Sequence, residues 1–109
     1  MAVKANIVID QGTDFSAIIE VADPIDGSFD LTDYTSASQM RKSYYSNTYH
    51  DFTTETTGAA GTVLLTMNSA TTATLEPGRY VYDVEVTSAE GVVLRVVEGI
   101  VNVTPGITR

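Results

Sequence analysis

The sequence predicts an all-β fold: an antiparallel β-sandwich of seven to eight strands in two sheets, with one short helical turn, as a single domain over residues 1–109. Three observations predict it. Val, Ile and Thr supply 36 of the 109 residues, and β-branched side chains suit a pleated surface better than a helix. Apolar residues recur at every second position, the period of a strand with one buried face. Turn residues interrupt these runs about every 8 to 15 positions, the rhythm of a sandwich.

The elements follow in order. Residues 1–10 (MAVKANIVID) lack a continuous apolar stretch of signal-peptide length and read as a strand. After Gln11-Gly12, TDFSAIIEV places Phe15, Ala17 and Ile19 on one face and Asp14, Ser16, Ile18 and Glu20 on the other. Asp23-Pro24-Ile25-Asp26-Gly27 is a turn, with Pro fixing φ and Gly accepting a positive one. A break at Gly58 to Gly61 precedes TVLLTM (62–67). Asn68 to Leu75 opens with capping residues and stops before Pro77-Gly78, which predicts one or two helical turns held by packing of Leu75 and Ala73. In RYVYDVEV, Tyr80, Tyr82, Val84 and Val86 share a face. In the last strand, Val92 to Val103, the parity conflicts: Leu94 and Val96 continue to Glu98, while Val97 continues to Gly99, Val101 and Val103, which predicts a bulge near Glu98-Gly99.

Composition excludes several function classes. The chain has no Cys and one His, so disulfide scaffolds, thiolate zinc sites and cysteine nucleophiles are ruled out. The net charge is −8, and Arg41-Lys42 is the only adjacent basic pair. Partners with dense negative charge need clustered Lys and Arg, so neither nucleic acid nor an anionic membrane is expected as a partner. No cofactor motif occurs, and no cofactor is expected.

Four stretches, QGTDFSAIIEV, FDLTDYTSASQMRKSYYS, LEPGRYVYDVEV and VVLRVVEGIVNVTPGITR, occur in an order that resembles the small Ig-like β-sandwich domains of tailed-phage virion structural proteins. They are similar to the N-terminal domains of baseplate upper proteins. The resemblance spans Gln11 to Thr108, and its most specific pieces are Asp30-Leu31-Thr32-Asp33-Tyr34, Arg41-Lys42 and Gly78 to Asp83. The family's turn often carries Gly where this chain has Asp33. The resemblance implies an Ig-like fold and a bacteriophage virion as the location, after synthesis in the host cytoplasm. It implies a structural protein of the tail, neck or baseplate, or a capsid decoration protein, present in multiple copies in a symmetric assembly with other virion structural proteins as partners. A host-glycan or receptor-binding module is the alternative. Such a reader would expose aromatics beside polar groups on a concave surface, whereas a structural block would offer edges and apolar contacts.

The candidate residues each have a plain reading beside a functional one. His50-Asp51 could serve a triad, but no nucleophile elbow accompanies it, and no enzyme is expected. Asp23, Asp26, Asp30 and Asp33 could offer oxygens to Ca²⁺, yet Asp favours turns for its own hydrogen bonding, and no metal is expected. Tyr44, Tyr45 and Tyr49 lie among small polar residues and suit either a protein-contact surface or a cover over the sandwich end. Arg41 and Lys42 could join that surface by pairing with acids of a neighbouring copy, or stay solvated. Tyr80 and Tyr82 could stack on a sugar, but their parity sends them to the core, with a hydroxyl on backbone as in a tyrosine corner.

Overall fold

Alternating β-branched residues form strands throughout the computed structural model, which describes residues 3–23, 27–28, 31–57 and 61–107. The elements are β1 (Val3–Lys4), β2 (Ile7–Asp10), β3 (Phe15–Glu20), β4 (Ala22–Asp23), β5 (Gly27–Ser28), β6 (Thr35–Arg41), β7 (Tyr49–Thr57), β8 (Thr62–Met67), α1 (Ser69–Thr72), β9 (Gly78–Thr87) and β10 (Val93–Thr104). The strand order is β1-β10-β9-β6-β7-β8-β3, with β2 following β1 along β10, and β4-β5 forming a small separate ribbon. Counting β1 and β2 as one interrupted strand, the body has seven strands among the described residues, and the fold is all-β as the sequence predicts.

The two layers share β7. Its first half, Tyr49 to Phe52, pairs with β6, and its second half, Thr53 to Thr57, pairs with β8. The sheet therefore wraps almost into a barrel, with β1 and β3 as its two ends. Between the layers, Phe15 of β3, Phe52 of β7 and Tyr82 of β9 pack in series, the first pair tilted and the second edge-to-face, with ring centroids 5.8 and 6.2 Å apart. Val63, Leu65, Met40, Val84, Val86, Val97 and Val101 are among the fully buried residues packed around them.

Three local expectations change. The sandwich is mixed rather than wholly antiparallel, because β1 and β2 run parallel to β10. Periodicity marks which residues face inward but is blind to strand direction. The bulge of β10 falls between Arg95 and Val97, at Val96, two residues before the expected Glu98-Gly99. It turns both Val96 and Val97 into the core. Gly99 instead makes room for a crossing backbone. A Cβ there would collide with the carbonyl of Ala5, where the N-terminal strand breaks between β1 and β2. Asn6 Oδ1 bridges that break by accepting from Ile100 N (3.0 Å).

The third change is at α1. Asn68 caps it, accepting from Thr71 N at 2.9 Å, and Leu75 is buried. The second inward residue is Thr72, not Ala73, which is exposed. Thr72 Oγ1 donates to Thr13 O (2.7 Å) and accepts from Gly12 N (3.1 Å), tying the helix to the turn before β3. A buried hydroxyl needs such partners.

The turn before β6 keeps a glycine-like shape without glycine. Asp33 has φ 66°, the only non-glycine residue at positive φ among those described. Asp is among the side chains that tolerate this region. Of the aspartates weighed as calcium ligands, Asp33 is exposed and Asp23 sits in β4. Asp26 and Asp30 lie outside the described residues, as does most of the Asp23–Gly27 turn.

Candidate functional site: a groove beneath the tyrosine loop

Strand alternation sends Gln39 and Arg41 of β6, Val81, Asp83 and Glu85 of β9, and Glu98 of β10 to the outer face of the larger layer. Register aligns them: Asp83 stands between Gln39 and Glu98, and Glu85 beside Arg95. The loop from Ser43 to Thr48 rises at one end of this row. Together they enclose a groove of about 490 Å³, with Tyr44, Tyr45 and Asn47 on its rim.

Arg41 fixes the loop. Its Nη1 donates to Ser46 O at 2.6 Å, and its Nη2 donates to Gln39 Oε1 at 3.1 Å. Its guanidinium lies 4.9 Å from the centre of the Tyr49 ring. Gln39 in turn donates to Asp51 Oδ1 (2.9 Å). Across the groove, Arg95 Nε donates to Asp83 Oδ2 at 3.1 Å and its Nη1 approaches Glu98 Oε2 at 3.7 Å. Both guanidiniums are thus occupied. Among the described residues, the Glu85 carboxylate and the Asn47 amide have no hydrogen-bond or ion-pair partner.

The sequence candidates separate. Tyr45 is 94% exposed and Tyr44 69%, so these two do not serve as packing over the sandwich end; Tyr49 is 47% exposed. Arg41 and Lys42 do not form a joint basic patch. Lys42 lies just past the end of β6 with its Nζ 4.4 Å over the Tyr80 ring, while Arg41 serves the loop. His50 and Asp51 also take opposite sides of β7: the His50 ring meets the edge of Tyr80 at 6.2 Å, and Asp51 meets Gln39.

Tyr80 and Tyr82 are core residues. Tyr80 Oη donates to Glu76 O at 2.8 Å, the tyrosine-corner contact, and Tyr82 Oη donates to Ala5 O at 2.6 Å. Burial pushes both hydroxyl pKa values above 10.0; the nearby Glu76 carboxylate adds to the rise at Tyr80, and the bond to its backbone opposes it.

Periodicity alone does not single out Gln39, Asp83, Glu85, Arg95 or Glu98. Each looks like an ordinary solvated position of a half-buried strand. The signal is that outward positions of three strands carry carboxylates, amide and guanidinium at matching heights, which needs the register to see.

A second opening lies at the side of the sandwich. Ala5, Ile18, Ile19, Glu20 and Val97 line an apolar gap of about 490 Å³ where the ends of the wrapped sheet face each other. Ile18 is 70% exposed there.

No family model matches the chain, and no curated protein matches it. Among solved structures it is similar to the Listeria monocytogenes internalin-like protein lmo2027, with 17% sequence identity and a TM-score of 0.49. The alignment covers 94% of this chain and 28% of that protein, so the chain spans less than a third of its length.

Proposed function

We propose that this domain is a non-enzymatic structural component of a tailed-phage virion, acting through protein–protein contacts at the open side of its sandwich. The virion setting rests on the sequence resemblance. The mode of contact rests on one observation: β3 pairs only with β8 among the described residues, beside an apolar gap and the exposed Ile18. A free strand edge offers backbone donors and acceptors to an added strand, and an adjacent apolar slot takes alternate side chains. The charge of −8 keeps free copies apart, so assembly falls to a partner chain rather than to spontaneous self-association.

The test is particle incorporation. Mass spectrometry of purified particles should find the wild-type chain in many copies. Ile18→Lys should melt like wild type and incorporate poorly. Absence of the chain from particles sinks the virion reading, and normal incorporation of Ile18→Lys sinks the edge as the contact.

A further inference from the structure

We propose that the groove beneath the tyrosine loop binds a neutral carbohydrate. A sugar ring has an apolar C–H face and a rim of hydroxyls. A site for it needs an open aromatic face with hydrogen-bonding groups set alongside, in a concavity large enough to enclose it. The groove supplies each part. Its volume of about 490 Å³ lies within the roughly 300–1,000 Å³ of small-ligand sites. Tyr45 and Tyr44 stand on the rim with most of their surface open. The Glu85 carboxylate and the Asn47 amide are uncommitted among the described residues, and both suit hydroxyl groups: the carboxylate accepts, and the amide both accepts and donates.

Charge selects the kind of sugar. The groove holds Asp83, Glu85 and Glu98 against Arg41 and Arg95. Arg95 is shared by Asp83 and Glu98, and Arg41 is held by Ser46 and Gln39. The charge left open is that of Glu85, and it repels sialic or uronic acids and sulfated sugars. One open carboxylate is a thin anchor for a basic peptide, the other occupant its sign would admit, whereas two open rings match a stacked sugar.

This site goes beyond assembly. It makes Tyr45 a ligand contact, leaves particle contacts to the edge of β3, and stands or falls apart from them. The experiment screens the isolated protein on an array of neutral and acidic glycans. The best neutral glycan is then titrated into ¹⁵N-labelled protein beside a Lys-Arg tetrapeptide. Saturable shifts are expected at the amides of Gln39 to Thr48 and of Val81 to Glu85, with acidic glycans binding less. Tyr45→Ala should weaken binding about tenfold and Glu85→Gln several-fold, with unchanged melting and unchanged particle incorporation. The proposal is overturned by no saturable binding to any neutral glycan, by binding indifferent to both substitutions, or by tighter binding of the tetrapeptide. Loss of incorporation by Tyr45→Ala without sugar binding would return the loop to the role of protein contact.

Discussion

Two pairs of tyrosines divide the molecule. Tyr80 and Tyr82 on β9 are 3% and 4% exposed, each with its hydroxyl on a backbone carbonyl. Tyr44 and Tyr45, in the loop after β6, are 69% and 94% exposed. The residue type is the same, and position decides its use. On β9 every second residue must face the core, so a tyrosine there has to bury its ring and find a partner for its hydroxyl. In the loop no such alternation operates, and Arg41 holds the backbone at Ser46 while leaving the rings outside. A tyrosine is structural or available according to whether strand parity has claimed it.

The comparison is broken most forcefully at Tyr82. Tyr82→Ala removes the ring that meets Phe52 edge-to-face and the anchor of Ala5, and should destabilise by about 3–5 kcal/mol, read as a fall in the urea midpoint. A wild-type midpoint would mean that the buried pair is not structural. Gly99→Ala comes next. The added methyl meets the Ala5 carbonyl, so a loss of about 1–3 kcal/mol is expected. Hydrogen exchange should rise first at Ala5 N, which donates to Glu98 O; exchange unchanged there would contradict the close approach.

Smaller effects sharpen the contrast. Tyr80→Phe should lose about 0.5–1.5 kcal/mol, the net worth of one hydrogen bond. It should also reduce the alkaline sensitivity of the fold. Both buried hydroxyls titrate above 10.0 in the folded chain, so the unfolded chain gives up these protons first. Their contribution is intact below about pH 10 and is lost as pH rises from there through the folded values. Melts between neutral pH and pH 11 would show a shallower decline in the Tyr80→Phe, Tyr82→Phe double variant. Tyr44→Ala is the smallest, within about 0.5 kcal/mol. A melting point well below wild type in that variant would move the loop into the structural half of the comparison.

Parity explains what is legible in the sequence and what is not. The buried faces of β3, β8 and β9, the capped turn at Asn68 and the tyrosine corner at Tyr80 are local properties, written within a few residues of one another. The direction of the N-terminal strand is not local, because Ile7 can alternate correctly in a parallel or an antiparallel neighbour. Gly99 reads as part of the bulge because its actual reason, the carbonyl of Ala5, lies at the opposite end of the chain. The groove is the least legible part. Gln39, Asp83 and Glu98 meet only once β6, β9 and β10 are laid side by side, and each alone is an unremarkable outward residue. Of the five residues that the sequence marks as contacts, Tyr44 and Tyr45 form the rim of the groove, Arg41 and Tyr49 support it, and Lys42 stands apart over Tyr80.

The parallel pairing of the N-terminal strand with β10 also sets how the domain carries load. If tension enters before Val3 and leaves after Thr104, the two strands are drawn past one another along their lengths. The bonds from Ile7–Asp10 to Val101–Thr104 then lie across the pull and share it, so they must fail together rather than open one after another like a zipper. The hydroxyl of Tyr82, on Ala5, and the side chain of Asn6, on Ile100, pin the same seam from the side. Pulled through its ends, the sandwich behaves as a clamp.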